Sequence, residues 1–313
     1  MGNYKKHRIE KVVKISRLKN TQNITSLSIV KDTREYATFR HNLRKLASWL
    51  KKEEVEMAVM ESTGIYWRTV YDVLEEEELK VIVVNAQHVK KVPGRKTDVS
   101  DSQWLAELSR CGLLRASFIP PRDMRQLRLL TRYRRKLIET LAGEKNRLQK
   151  VLEDGGVRLS SVVSDIDGVS AGRMINALIE GSEPLEKIAE LALGRLRKKQ
   201  SEIRLSLDGQ LSDRHRLLLK TIKSHVEWLH TTIADIDDQV VAAMKPYMTE
   251  WNLLQTIPGV DEISAAMLLA EIGTDMSVFG SKDKICSWAG ISPGNNESAG
   301  KKRVAGQAKE TGT

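Results

Sequence analysis

KVIVVNAQHVKKVPGRKTDVSDSQWLAELSRC, residues 80–111, runs from an apolar strand through a basic loop into a helix that opens on two aspartates. Val81, Ile82, Val83 and Val84 form a β-branched run with a polar exit at Asn85, the pattern of a buried strand in a parallel or mixed sheet. Lys90, Lys91, Arg95 and Lys96 follow, broken by Pro93 and Gly94, which makes this stretch a cationic loop. Thr97 then caps a helix running to about Cys111, with Gly112 as its stop and Trp104, Leu105 and Leu108 as its apolar stripe.

Asp98 and Asp101 are three residues apart and share one face of that helix's first turn. Acids at this position also complement the helix dipole, an effect of about 0.3–1 kcal/mol that needs no ligand. Glu61 adds weight to a metal reading. It ends another expected strand, Val55 to Glu61, in which Val55, Met57 and Val59 share its parity. A strand-end carboxylate facing paired helix carboxylates suits Mg²⁺, which takes a few carboxylates plus waters and substrate phosphate. Two such ions activate and stabilise the oxygens of a phosphodiester exchange.

The chain has 313 residues, enough for two domains of ordinary size. No run of eighteen apolar residues occurs, and the first twenty residues lack the apolar core of a secretory signal, so the expected place of work is the cytoplasm, away from membranes. Cys111 and Cys286 form no CxxC pair, and the six histidines have no zinc-ligand spacing. A net charge of +10 favours a polyanionic partner.

Around this centre, residues 1–23 read as a basic arm or strand with apolar positions at Val13 and Ile15. Ile24 to Val30 and Arg34 to Phe39 read as a hairpin turning at Lys31, Asp32 and Thr33. A helix over 41–51 carries Leu43, Leu46, Ala47 and Leu50 on one face, and another is expected over 65–78. After Pro120 and Pro121 a long helix over 122–153 carries Leu127, Leu130, Leu137, Leu141 and Leu148 on one seam, with Arg132, Arg134 and Arg135 as candidate phosphate contacts.

Residues 157–185 read as a small helical insert with turns at Gly168, Gly172 and Gly181. A second helical region, broken near Gly209, shows a seam at Ile222, Val226, Leu229, Ile233, Ile236 and Val240. The two seams can pair with each other or with a second subunit. Leu253 to Gly273 reads as two helices around a Pro258-Gly259 turn, similar to a helix-hairpin-helix that offers backbone N–H groups to phosphate. Ser298 then stands in a Gly- and Asn-rich loop before Lys301, Lys302 and Arg303, cations able to stabilise charge beside a nucleophile.

AVMESTGIYW (58–67), VNAQHVKKVPGRKTDVSDSQWLAELSRCGLLRASFIPP (84–121), LTRYRRKL (130–137), TIPGVDEISAAMLLAEIG (256–273) and SWAGISPGNNESAGKKR (287–303) closely resemble the DEDD transposases of bacterial insertion sequences, also called bridge-RNA-guided recombinases. The resemblance covers most of the chain from about residue 34. It implies an α/β RNase H-like (RuvC-like) N-terminal domain over 1–121, a helical coiled-coil region over 122–245 and a mainly α C-terminal transposase domain over 246–313. It also implies DNA as substrate, a guide (bridge) RNA, Mg²⁺ and a homo-oligomer. Glu61, Asp98 and Asp101 match three of the family's four acids, and Ser298 matches the serine that joins covalently to DNA.

The family's first acid normally sits in an opening strand of the form G-L-D-V-H-K, and nothing in residues 1–33 reads that way; Glu10 and Asp32 lie outside the expected strands. The end of the chain is also expected to be shortened, since members continue past the basic loop into further helices. Two rivals remain: a catalytically impaired DNA- or RNA-binding remnant of such a transposase, and a metal-dependent junction nuclease that uses water and forms no serine adduct.

Overall fold

The computed structural model describes residues 8–16, 30–62, 64–86, 89, 101–292, 297–298 and 301–302, with backbone alone at 8–16, 30–31, 33, 101, 297–298 and 301–302. The chain divides into two compact units, one made of residues 1–122 with 276–313 and the other of 123–275. This division differs from the boundary expected at residue 245: residues 246–275 fold with the helical unit, and only residues 276–313 join the N-terminal unit.

In the first unit, β1 (Arg8–Ser16) pairs antiparallel with β2 (Val30–Ala37), with Val13 opposite Thr33 and Lys14 opposite Asp32. The expected hairpin is therefore corrected. Lys31, Asp32 and Thr33 lie in mid-strand and not in a turn, and Glu10 and Asp32 both sit in strands, Glu10 where the register shifts between Ile9 and Val12. Local polarity suggested a turn, but pairing with the distant β1 decides the conformation.

α1 (Arg40–Lys52) buries the expected stripe of Leu43, Leu46, Ala47 and Leu50, together with Trp49. β2 is tied to this helix through Tyr36, whose ring centroid lies 6.2 Å from that of Trp49, and through the Arg34 guanidinium, 4.7 Å above the same indole. β3 (Ala58–Glu61) and β4 (Val81–Val84) run parallel, Glu61 in register with Val84, and α2 (Tyr66–Glu76) connects them. Ala58, Met60 and Val81 pack with α1 and α2, while Val59, Ile82 and Val84 pack with Leu105 and Leu108 of α3 (Asp101–Arg110). Helices thus cover both faces of a parallel pair, which is why its strands are apolar except for Glu61 at the end of β3.

The second unit is built on two long helices, α4 (Arg122–Asp154) and α8 (Asp213–Ala243). Between them lies a helical lobe: α5 (Val169–Glu180), α6 (Leu185–Glu190), a 3₁₀ segment (Gly194–Lys199) and α7 (Gln200–Ser206). Gly172 lies inside α5 and not in a turn, whereas Gly168 and Gly181 bound that helix as expected. The lobe closes at its neck through the Gln210 N–H donating to the Gly155 carbonyl at 2.8 Å. That approach requires glycine, because a Cβ at Gly209 would stand 2.5 Å from the same carbonyl oxygen. Met174, Ile175, Ile188, Ile203 and Leu207 of the lobe, all nearly inaccessible, share one core with Leu148 and Leu152 of α4 and Leu219 of α8.

The two seams pair with each other within the chain. Leu137 and Leu141 of α4 bury against Val226, Leu229 and Ile233 of α8. Further along, Met124 and Leu127 join Val240 and Met244 in a second cluster with α9 (Met248–Gln255) and α10 (Glu262–Ile272). Of the open alternatives, the intramolecular one accounts for both apolar stripes.

Candidate nucleic-acid-processing site

Glu61 closes β3 at the point where the Ser62 N–H donates to the Val84 carbonyl at 2.9 Å. Its side chain is half-buried. Strand parity puts it on the same face as Val59, the face covered by α3. The described part of α3 opens on Asp101, so this acid and the strand-end acid belong to the two elements packed on that one face. Asp98, Lys90, Lys91, Arg95 and Lys96 lie outside the described residues, as does Arg303.

Among the described residues no three His, Cys, Asp or Glu side chains gather as a metal site. The chemistry of the donors nevertheless suits a hard divalent ion: Glu61 and Asp101 offer only carboxylate oxygens. β1 also lies beside α3, and its one carboxylate is Glu10. Asp32 is instead engaged with Arg34, Oδ2 standing 3.0 Å from the guanidinium.

Ser298 was expected in an irregular loop, and here the structure differs. β5 (Glu297–Ser298) pairs antiparallel with β6 (Lys301–Lys302), setting Ser298 directly opposite Lys301. The segment leading to it, α11 (Lys282–Trp288), is fixed to the α/β part of the same unit by three aromatic rings. Phe118 lies 5.3 Å from Phe279 and 6.3 Å from Trp288, and Phe279 lies 5.4 Å from Trp288, centroid to centroid. Sequence reasoning missed this anchor. Its signal was rarity, since the chain has only three phenylalanines and this contact uses two of them.

The candidate phosphate-binding arginines of α4 have carboxylate partners. Arg134 grips Asp237 of α8 in a fork, Nη2 to Oδ2 being 2.9 Å, with the guanidinium mostly shielded. Arg132 grips Glu271 of α10 through Nε and Nη2 at 2.9 and 3.1 Å, and Arg135 pairs with Glu139 within α4. Arg128 caps the end of α10 on the carbonyls of Ala270 and Glu271, where a cation complements the helix dipole. A double-mutant cycle of Arg134→Ala and Asp237→Ala is expected to give a coupling of about 1–2 kcal/mol in urea unfolding, between the ranges for exposed and buried pairs.

The Pro258-Gly259 turn does join two helices, α9 and α10, with Gly259 at φ +86°. The start of α10, however, is capped by Asp261, whose Oδ1 accepts from the Ser264 N–H at 2.7 Å. Those hydrogen bonds from Ser264 hold the Asp261 carboxyl below its usual range. An ionised aspartate therefore takes the donor that a phosphate would use at this helix end.

The fold and these residues agree with comparison to known families, which places the chain among the transposases. Residues 21–155 match a transposase model of the DEDD, IS110 type, and residues 251–313 match the model of the IS116/IS110/IS902 transposase family. Residues 156–250, which hold the lobe, α8 and the start of α9, lie between the two matches, and the chain belongs to the IS116/IS110/IS902 family of transposases. Comparison with curated proteins finds no match. Membership makes DNA the substrate class and implies an RNase H-like N-terminal fold, with which the helix-covered parallel strands agree. No helix among the described residues is long and apolar enough to cross a membrane.

Proposed function

We propose that this transposase exchanges DNA phosphodiesters with Ser298 as nucleophile, Glu61, Asp98 and Asp101 as Mg²⁺ ligands, and a guide RNA selecting the sites. Ser298 Oγ gives up its proton and attacks phosphorus; the bond to the departing DNA oxygen breaks, and that oxygen leaves as a hydroxyl. The DNA end stays on Oγ until a hydroxyl of the new strand displaces it, so the phosphodiester is conserved. Lys301, opposite Ser298 in the hairpin, balances the charge on the attacked phosphate together with Lys302 and Arg303. Lys90, Lys91, Arg95 and Lys96 hold the flanking backbone.

Bound Mg²⁺ supplies Lewis-acid stabilisation of the phosphoryl oxygens. Glu61, Asp98 and Asp101 would hold it, and Glu10 of β1 is one candidate for a fourth ligand. What supports the reading is that Glu61 sits on the sheet face covered by the helix that carries Asp101. Both seams are already buried within one chain, so subunits of a homo-oligomer join through other surfaces.

The test is adduct mapping. The protein is incubated with its element RNA and with duplex DNA carrying the element ends, with Mg²⁺ or with EDTA, then denatured and digested. A DNA-linked peptide containing Ser298 is expected with Mg²⁺ alone. Cut DNA without an adduct would overturn the reading in favour of a water-using nuclease, and binding without cutting would favour the impaired remnant.

A further inference from the structure

Gly194–Lys199, GRLRKK, lies in the helical lobe and carries Arg195, Arg197, Lys198 and Lys199, all exposed. None of the four has an ion pair or a hydrogen-bonded carboxylate among the described residues, although the lobe pairs Arg204 with Glu186 and Lys187 with Glu183. The backbone beneath them is firmly held. The Leu193 N–H donates to the buried Ser170 hydroxyl at 3.0 Å, Leu196 packs on the lobe core, and α7 starts at once with Ile203 fully buried.

The placement also opposes a local preference. Arg197, Lys198 and Lys199 directly precede the start of α7, where a helix favours acids and each cation costs about 0.3–1 kcal/mol at most. A rule broken on a rigid, exposed segment points to a use outside the fold. From Arg195 to Lys199 a 3₁₀ segment rises about 8 Å, a length over which duplex DNA presents about five phosphates.

We propose that this basic 3₁₀ segment is a contact for the phosphate backbone of duplex DNA, independent of base sequence. The segment belongs to the helical unit and the acids and the serine to the other, and the proposal holds whether or not Ser298 is the nucleophile. Its donors are charged side chains with fixed starting points, which suits many phosphate registers and reads no base edge.

The experiment compares the full chain with R195Q/R197Q/K198Q/K199Q, binding a 30-base-pair duplex of scrambled sequence across a sodium chloride series. These exposed side chains have no ion pair or hydrogen bond among the described residues, so the variant is expected to fold as the parent does. The slope of log affinity against log salt is expected to shrink by about 2–4, roughly 0.9 per lost phosphate contact, with at least tenfold weaker binding at moderate salt. K136Q/K187Q, which removes two ion-paired lysines, should leave the slope within one unit. An unchanged slope in the quadruple variant overturns the proposal. So does a loss confined to single-stranded RNA, or a change of oligomeric mass with duplex affinity intact. Failure of the serine mechanism would not alter this readout, because binding needs no chemistry.

Discussion

Ser298→Ala is expected to remove the covalent DNA adduct and to lower recombination on the order of 10⁴-fold or more, a loss of about 5.5 kcal/mol in transition-state stabilisation. A serine oxygen that carries the DNA end between cutting and joining conserves the phosphodiester, whereas attack by water would release it as a free end. Duplex affinity should be unchanged, because one hydroxyl contributes little to binding that cations dominate. Glu61→Gln separates the acids from the serine. It keeps the volume and the strand ladder at the end of β3 but removes the charge, and adduct yield should fall on the order of 10²–10³-fold while DNA binding persists. An adduct formed equally well by Ser298→Ala would sink the nucleophile assignment. Full activity in Glu61→Gln would sink the metal assignment alone.

Leu229→Ala should destabilise the helical unit by about 3 kcal/mol, with no direct effect on chemistry. Leu229 is 0% exposed and sits in the seam with Leu137, Leu141, Val226 and Ile233, so truncation leaves a cavity that two stiff helices close poorly. With two units each having a core, unfolding is read as two transitions, and the helical one should move to lower urea by about 1–2 M. Trp228, next in sequence, is 53% exposed, and its replacement by alanine should shift that transition by no more than about 0.5 kcal/mol. A shift that small for Leu229→Ala would show that the seam is not the unit's main contact.

What the sequence made legible was whatever repeats locally. The β-branched run at Val81 to Val84, the stripe of α1 and both long seams carry their own period, and each forms as expected. A seam does not name its partner, however, so the pairing of α4 with α8 needed the structure. The β1–β2 pairing was hidden because Lys31, Asp32 and Thr33 look like a turn until β1 is laid beside them. At the site, Glu61 was readable as a strand end, while the helix start expected at Thr97 lies outside the described residues. The hairpin holding Ser298 opposite Lys301 was not readable, since two-residue strands have no periodicity. Nor could the arginines of α4 be seen to face Asp237 and Glu271, acids more than a hundred residues away.

The aromatic anchor among Phe118, Phe279 and Trp288 bears on the order of synthesis. Phe118 leaves the ribosome before the whole helical unit, and Phe279 and Trp288 only after it. During translation the α/β part must therefore wait with one aromatic face uncovered while residues 123–275 are made and fold. Ser298 emerges later still, behind Trp288, so the nascent chain acquires its proposed nucleophile only after the rings that anchor it have been synthesised. A ribosome that stalls inside the helical unit would leave an α/β part without Ser298 and with Phe118 lacking its two aromatic partners.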